Sequence, residues 1–209
     1  FLFTSNNAWR IIRNTLLYNL AFIFAGIVVG VTVAIFLNEI RQKRALKVYQ
    51  TGILLPYLMS MVIVSYLAYV FLSPNTGVVN GLLRRLGSSG VNWYSEPKYW
   101  PFLLVFIQLW KNLGFNMILY YSSIISFSQD YYEAAELDGA TKWQQIRNIT
   151  IPLLKPTMIT LMILQLGQVF RSDFGLFYQV PMNQGALYEV TDTIDTFVYR
   201  ALLQTPNIG

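Results

Sequence analysis

The sequence predicts an all-α, polytopic membrane protein built as a bundle of helices. Of its 209 residues, 55% are hydrophobic and 12% are charged, about half the charged fraction of a typical soluble domain. Residues 15–37 contain no charged side chain, and a helix of that length extends about 34 Å, enough to cross a ~30 Å hydrocarbon core. Three further apolar segments follow, so we expect four spans in one transmembrane domain, residues 1–209.

The composition also excludes several classes of function. The chain has no cysteine and no histidine, which rules out a disulfide framework, a zinc site and a histidine-based catalytic triad within it. Its net charge is +5, but the basic residues are scattered and form no basic face for nucleic acid. The phosphate-loop pattern G-x-x-x-x-G-K-[ST] does not occur. We therefore predict no catalytic residue, metal site, nucleic-acid partner or nucleotide site in this chain.

The first two predicted spans, 15–37 and 51–72, are joined by a short polar loop, 38–50. This loop carries four basic side chains, which favours the cytoplasmic side. Pro56 falls in the first turns of the second span, where a missing N–H is tolerated. The first span holds a row of small residues that is typical of close packing against another helix: Gly26, Gly30 and Ala34.

An external loop, 73–100, and a third span, 101–127, come next. The loop begins with turn-forming residues and holds a short amphipathic helix at 78–86. We expect a cluster of aromatic side chains just before the third span to form an interfacial belt. These are Trp93, Tyr94, Tyr99 and Trp100.

The third span carries one polar stripe in an otherwise apolar segment. Its members recur at helical spacing, so they share one face: Gln108, Lys111, Asn112 and Asn116. A lysine at that depth costs about 3 kcal/mol on insertion scales, so it should face a substrate path, a cavity or a neighbouring helix. Alternatively, the long stem of Lys111 reaches the interface.

A fourth span, 152–172, precedes a second external region, 174–209. Gln165 and Gln168 lie on one face of this span and are, with the polar stripe, our predicted lining of a substrate path. The external region contains three carboxylates but no glycine-bounded calcium loop, which favours a solvated loop before a final helix. These carboxylates are Glu189, Asp192 and Asp195.

Between the third and fourth spans lies a polar, helix-prone hairpin, 129–151. Asp130 and Glu133 have the spacing of a capping box, as do Thr141 and Gln144. Gly139 is placed to end the first short helix in a left-handed conformation. The second short helix is expected to end near residue 148, and Pro152 to open the next helix.

The hairpin residues resemble a signature of the inner-membrane permeases of binding-protein-dependent ABC importers. The pattern E-A-A, three residues, Gly, nine residues, I-x-[hydrophobic]-P is met in full, with Ile151 where leucine is usual. Its matching residues are Glu133, Ala134, Ala135, Asp138, Gly139, Ala140, Ile149 and Pro152. The resemblance implies that this is a cytoplasmic coupling-helix hairpin that docks on a separate ATPase, which would bind the ATP and Mg²⁺.

Weaker matches resemble the branch of these permeases that takes up polysaccharides and complex oligosaccharides. They are residues 13–16, 37–41, 55–56 and 196–200. The resemblance implies an inner-membrane subunit with about six spans, a second homologous permease, an ATPase dimer, an extracytoplasmic binding protein and a sugar or oligosaccharide substrate. The chain itself would not be an enzyme.

Two other interpretations remain open at this point. A permease for a non-sugar solute would share the hairpin, whereas a secondary transporter or channel would have polar stripes but would not need it. A membrane-embedded enzyme is disfavoured because the intramembrane polar residues include no acid/base pair. Basic residues number seven inside and six outside, so orientation follows from the hairpin rather than from charge.

Overall fold

The computed structural model describes residues 7–204, and within that range the chain forms α-helices and no β-strand. This confirms the all-α, polytopic class predicted from the sequence. The helices are α1 (Ala8–Asn38), α2 (Lys43–Leu58), α3 (Met61–Leu72), α4 (Val78–Arg85), α5 (Trp100–Ile124), α6 (Asp130–Leu137), α7 (Lys142–Gln145), α8 (Ile151–Leu166), α9 (Tyr188–Thr191) and α10 (Ile194–Gln204).

The described residues divide into two compact units, each with its own apolar core. The first unit takes residues 7–22, 59–108 and 168–204, and the second takes 23–58 and 109–167. In the first core the largest side chains with no exposed surface are Trp100, Leu104 and Phe177. In the second they are Met117 and Leu154, with Tyr120 nearly as deep.

In the second unit, α5 packs closely on both α1 and α2, and glycine permits each approach. A Cβ on Gly30 would lie 3.1 Å from the Tyr120 ring, and Gly26 faces Asn116. The predicted close packing of the Gly26 and Gly30 row is therefore confirmed. A Cβ on Gly114 would lie 2.5 Å from the Leu54 Cα, so α5 meets the backbone of α2 directly.

The predicted second span, 51–72, is wrong as one continuous helix, because the chain breaks between α2 and α3. Ser60 caps α3 by accepting a hydrogen bond from the Ile63 N–H at 3.4 Å, an alternative to the helical ladder that serine offers. Pro56, predicted in the first turns, lies near the end of α2. Three helical stretches in the described residues are long and apolar enough to span a membrane, and α2 with α3 supplies a fourth if the broken pair counts as one span.

The predicted fourth span, 152–172, ends earlier than expected, and the predicted end of the preceding short helix near residue 148 is wrong. The α8 helix ends at Leu166, where Gly167 follows, whereas its first residues continue a helix from upstream. A π-helical turn, Ile146–Thr150, joins α7 to α8. Pro152 lacks the N–H that would bond within this turn, and the chain accommodates it by widening the helix instead of ending it.

Two predictions about the external regions are also corrected in the first unit. Tyr94 and Trp100 are buried and meet edge to face, with ring centroids 5.2 Å apart, so these two rings belong to a packed core and not to an exposed belt. Asp192, expected in a solvated loop, is buried between the guanidinium groups of Arg10, at 3.1 Å, and Arg200. Burying a carboxylate requires such charged partners.

Candidate functional site

The first arm of the hairpin is α6, Asp130–Leu137. The capping box predicted for Asp130 and Glu133 is wrong, because Asp130 is already the first helical residue and makes no such bond. The preceding residue, Gln129, has helical backbone angles of −63° and −27°. The Asp130 N–H instead donates to the Ser128 Oγ at 3.3 Å. The helix therefore starts one position earlier than the capping pattern predicts.

The turn of the hairpin is a Schellman motif centred on Gly139. Gly139 has a φ of +79°, a conformation that favours glycine. Its N–H donates to the Glu136 carbonyl at 3.0 Å, and the Ala140 N–H donates to the Ala135 carbonyl at 2.8 Å. The predicted role of Gly139 as the residue that ends the first arm is confirmed.

The second arm begins with the capping box predicted at Thr141 and Gln144. The Thr141 N–H donates to the Gln144 Oε1 at 2.7 Å, and the Gln144 N–H donates to the Thr141 Oγ1 at 3.4 Å. The arm then runs through the π turn into α8 without interruption. The hairpin is thus fixed locally at its turn and continuous with an apolar helix of spanning length.

Two contacts between side chains join the arms. The Lys142 Nζ donates to the Glu136 Oε1 at 2.7 Å, and the hydroxyls of Tyr132 and Thr150 lie 3.0 Å apart. The hydrogen bond from Lys142 and its positive charge lower the pKa of the Glu136 carboxyl. Neither contact could be predicted from the sequence, because partners separated by a turn do not follow helical spacing.

The hairpin exposes several large apolar side chains. Leu137 is 90% exposed, Trp143 67% and Tyr131 56%, and Ala134 is also exposed. Glu133 lies exposed on the same helix. No residue of α6 is buried. Large apolar side chains with so little cover indicate a contact surface for another molecule.

Behind the hairpin, a cleft of about 420 Å³ lies within the second unit. The ends of α1 and α5 form its remaining walls, and Glu133 and Glu136 reach it from α6. Arg41 also lines it and contributes to the lowered pKa of Glu136. The described residues hold no cluster of Asp and Glu that could bind a metal ion.

The structure places the remaining predicted hairpin residues at its turn and second arm. Asp138 caps the end of α6 and is exposed, and Ala140 follows the glycine and is half-buried. Ile149 lies half-buried in the π turn, and Pro152 is exposed in the first turn of α8. All the predicted coupling residues therefore lie on one short segment.

The predicted path residues occupy α5 and the end of α8. The four on α5 are half-buried, as is Gln165, whereas Gln168 is exposed beyond the end of α8. The Lys111 Nζ donates to the Tyr57 carbonyl at 3.1 Å and lies 5.6 Å from the Tyr57 ring centroid. Of the alternatives for Lys111, this contact fits a link to a neighbouring helix, since Tyr57 lies in the last turn of α2 where carbonyls lack helical partners.

Comparison with known proteins gives consistent similarities. The sequence profile of the family described as binding-protein-dependent transport system inner membrane component matches residues 26–172. Protein LplB of Bacillus subtilis strain 168 is 32% identical over 197 residues, covering 94% of this chain and 61% of LplB. The polygalacturonan/rhamnogalacturonan transport system permease protein YteP of the same organism is 32% identical over 206 residues, covering 97% and 63%. The chain thus spans about three fifths of the length of these two relatives.

A solved structure is similar over nearly the whole chain. It is described as a bacterial alginate ABC transporter in complex with an alginate pentasaccharide-bound periplasmic protein, and the matching chain superposes with a TM-score of 0.91 at 36% identity. The match covers 98% of this chain and 70% of that chain.

Proposed function

Because the chain belongs to the family of binding-protein-dependent transport system inner membrane components, we propose that it is the permease subunit of an ATP-driven importer. It passes a sugar or oligosaccharide from an extracytoplasmic binding protein across the cell membrane into the cytoplasm. A second, homologous permease forms the other half of the pore. A cytoplasmic ATPase dimer binds the ATP and Mg²⁺.

The observation that carries this proposal is the hairpin, residues 129–151. Its turn is fixed by Gly139 and a capping box, while Ala134, Leu137 and Trp143 remain uncovered. A rigid segment with exposed apolar side chains suits insertion into a groove on another subunit. Motion of that groove on ATP binding and hydrolysis would move the helices attached to the hairpin, and alternating access follows.

Similarity to relatives supports a saccharide as substrate. YteP is named for polygalacturonan and rhamnogalacturonan, and the solved transporter for alginate. In this chain, the polar side chains on α5 and near the end of α8 are the proposed lining of the path: Gln108, Lys111, Asn112, Asn116, Gln165 and Gln168.

The coupling role is tested by Glu133→Lys in the assembled transporter. Asp130→Lys is the matched control, because it makes the same charge change on the same exposed helix but three residues away and outside the cleft. We expect normal membrane levels for both variants, with uptake and substrate-stimulated ATP hydrolysis lost only in Glu133→Lys. Unchanged uptake in that variant would overturn the proposal, and uptake surviving deletion of residues 129–150 would favour a secondary transporter.

The substrate class is tested separately, by calorimetric binding of solutes to the binding protein encoded beside this chain. We expect oligosaccharides to bind and amino acids and phosphate not to bind. Selectivity for a non-sugar would change the substrate class and leave the coupling role intact.

A further inference from the structure

The short helix α4 in the first unit has one apolar side that nothing in the described chain covers. Val78, Leu82 and Leu86 follow one another at every fourth position, so they form one stripe, called here the α4 stripe. Their exposed fractions are 48%, 55% and 83%. The opposite side of α4 carries Asn80, which is 1% exposed.

Asn80 fixes the direction in which the α4 stripe points. Its Nδ2 donates to the carbonyls of Ser73 at 3.3 Å, Pro74 at 3.1 Å and Val91 at 2.8 Å. Its Oδ1 accepts from the Val91 N–H at 3.0 Å and the Trp93 Nε1 at 3.1 Å. Rotating α4 to bury the stripe would break all of these bonds at a buried site, which is costly. The stripe is therefore held outward.

The helix also starts close to the end of α3, an apolar helix with exposed side chains. α3 ends at Leu72, and the Gly77 N–H that precedes α4 donates to the Ser73 carbonyl at 2.9 Å, so α4 starts within one turn of the end of α3. Near its end α3 exposes Val70 and Phe71, 56% and 49%. The stripe thus follows closely on exposed apolar side chains of α3, which together with α2 is apolar enough to lie in a membrane.

The charges on α4 fit a phospholipid surface. The sequence VVNGLLRR contains no carboxylate and two arginines. The Arg84 guanidinium donates to the carbonyls of Pro74 at 2.9 Å and Asn75 at 3.1 Å. Arg85 is exposed beside the α4 stripe and makes no ion pair among the described residues. An apolar stripe flanked by an exposed arginine is the pattern of a helix lying in the lipid headgroup region.

We propose that α4 lies in the membrane–water interface, with the α4 stripe covered by phospholipid acyl chains and Arg85 beside lipid phosphate. The helix would then hold the extracytoplasmic loop against the bilayer. The position of α4 in the interface does not depend on the transported solute or on the coupling role of the hairpin; only the side of the membrane assigned to it rests on the cytoplasmic placement of the hairpin.

The test uses nitroxide labels, which the absence of cysteine from this chain makes simple. Leu82→Cys and Leu86→Cys are labelled in the complete transporter in nanodiscs of phosphatidylethanolamine and phosphatidylglycerol, after replacing any cysteines in the other subunits. Asn75→Cys is the control, since Asn75 is exposed in the loop before α4 and lies off the stripe. We expect both stripe labels to collide more often with oxygen than with a water-soluble nickel complex, and the control label to show the reverse.

Two results would overturn the proposal. Preference for the nickel complex at both stripe positions would place the stripe in water. If the binding protein then abolished this preference, the stripe would be assigned to a contact with that partner. Shielding from both reagents without the binding protein would place the stripe against another subunit. A further Arg85→Gln change should lower the ratio of oxygen to nickel collisions at position 86, whereas an unchanged ratio would remove Arg85 from the proposed contact.

Discussion

The helices α4 and α6 have the same construction but opposite surroundings. Each is eight residues long and ends in a Schellman motif with a glycine at positive φ, Gly87 at +85° and Gly139 at +79°. α4 carries two arginines and is held by the buried Asn80, whereas α6 carries acidic residues and buries nothing. The same C-terminal motif therefore ends a helix that is anchored within one unit and a helix whose residues are all at least partly exposed. The following substitutions test that contrast, from the largest expected effect to the smallest.

Proline in place of each glycine should give the largest difference between the two helices in the effect on ATP hydrolysis. Proline fixes φ near −65° and removes the N–H that bonds to the Glu136 carbonyl, at a cost of about 3 kcal/mol. We expect Gly139→Pro to reduce substrate-stimulated ATP hydrolysis roughly tenfold or more, because the docking-competent hairpin becomes rare. Gly87→Pro should change the rate of ATP hydrolysis by no more than about twofold, since the same disruption of the backbone then lies outside the hairpin. Equal losses in both variants, measured at equal membrane levels, would contradict the contrast.

Asn80→Ala should destabilise the first unit, and no residue of α6 offers an equivalent. The change removes the acceptor of the Val91 and Trp93 donors, and leaving buried donors unsatisfied costs about 2 kcal/mol. The thermal midpoint of unfolding, followed by tryptophan fluorescence in detergent, should fall clearly. Asn75→Ala is the control, because only the backbone carbonyl of Asn75 accepts a hydrogen bond. An equal shift of the thermal midpoint in the control would mean that the hydrogen bonds of the Asn80 side chain are not what holds α4 in place.

Alanine at the same glycines is a milder, sterically matched comparison. A Cβ at either position meets no atom within 4 Å, so the cost is that of the backbone conformation alone, about 1 kcal/mol in each case. We expect hydrogen exchange near each substitution to rise by similar factors. ATP hydrolysis should respond only to Gly139→Ala. A response to Gly87→Ala as well would remove the functional difference.

The smallest expected effect concerns the Lys142–Glu136 pair, which is exposed. Because the hydrogen bond from Lys142 and its charge lower the pKa of Glu136, the pair stabilises the folded hairpin above the ordinary glutamate pKa, and this contribution is lost as the pH falls below that ordinary value and through the lowered pKa. Lys142→Met should raise amide exchange in the hairpin roughly twofold at neutral pH and abolish this pH dependence. Lys98→Met, which removes an exposed pair with Glu96 at 3.6 Å, should change neither.

Features set by neighbouring residues were predictable from the sequence. Gly139 and the Thr141–Gln144 box act within a few positions of themselves, and both occur as predicted. The Gly26 and Gly30 row was also predictable, although its partner, α5, was not. The capping box at Asp130 was an error of this local kind of prediction, because Gln129 already has helical backbone angles and Asp130 therefore lies inside the helix.

Features that depend on distant residues, or that a local pattern leaves ambiguous, were not predictable. Arg10 and Asp192 are 182 positions apart, so only the fold reveals that Asp192 is paired and buried. The break before Ser60 occurs inside an apolar run, where composition favours a continuous helix. The continuity of α7 and α8 was hidden because a proline at a helix start and a proline beside a π turn look identical in sequence.

That continuity bears on how force would pass through the hairpin. From Lys142 to Leu166 the chain is helical over 25 residues, about 37 Å at 1.5 Å per residue. Under the proposed function, a partner that displaces the capped turn would act on one end of this helix and move its other end, at Gly167.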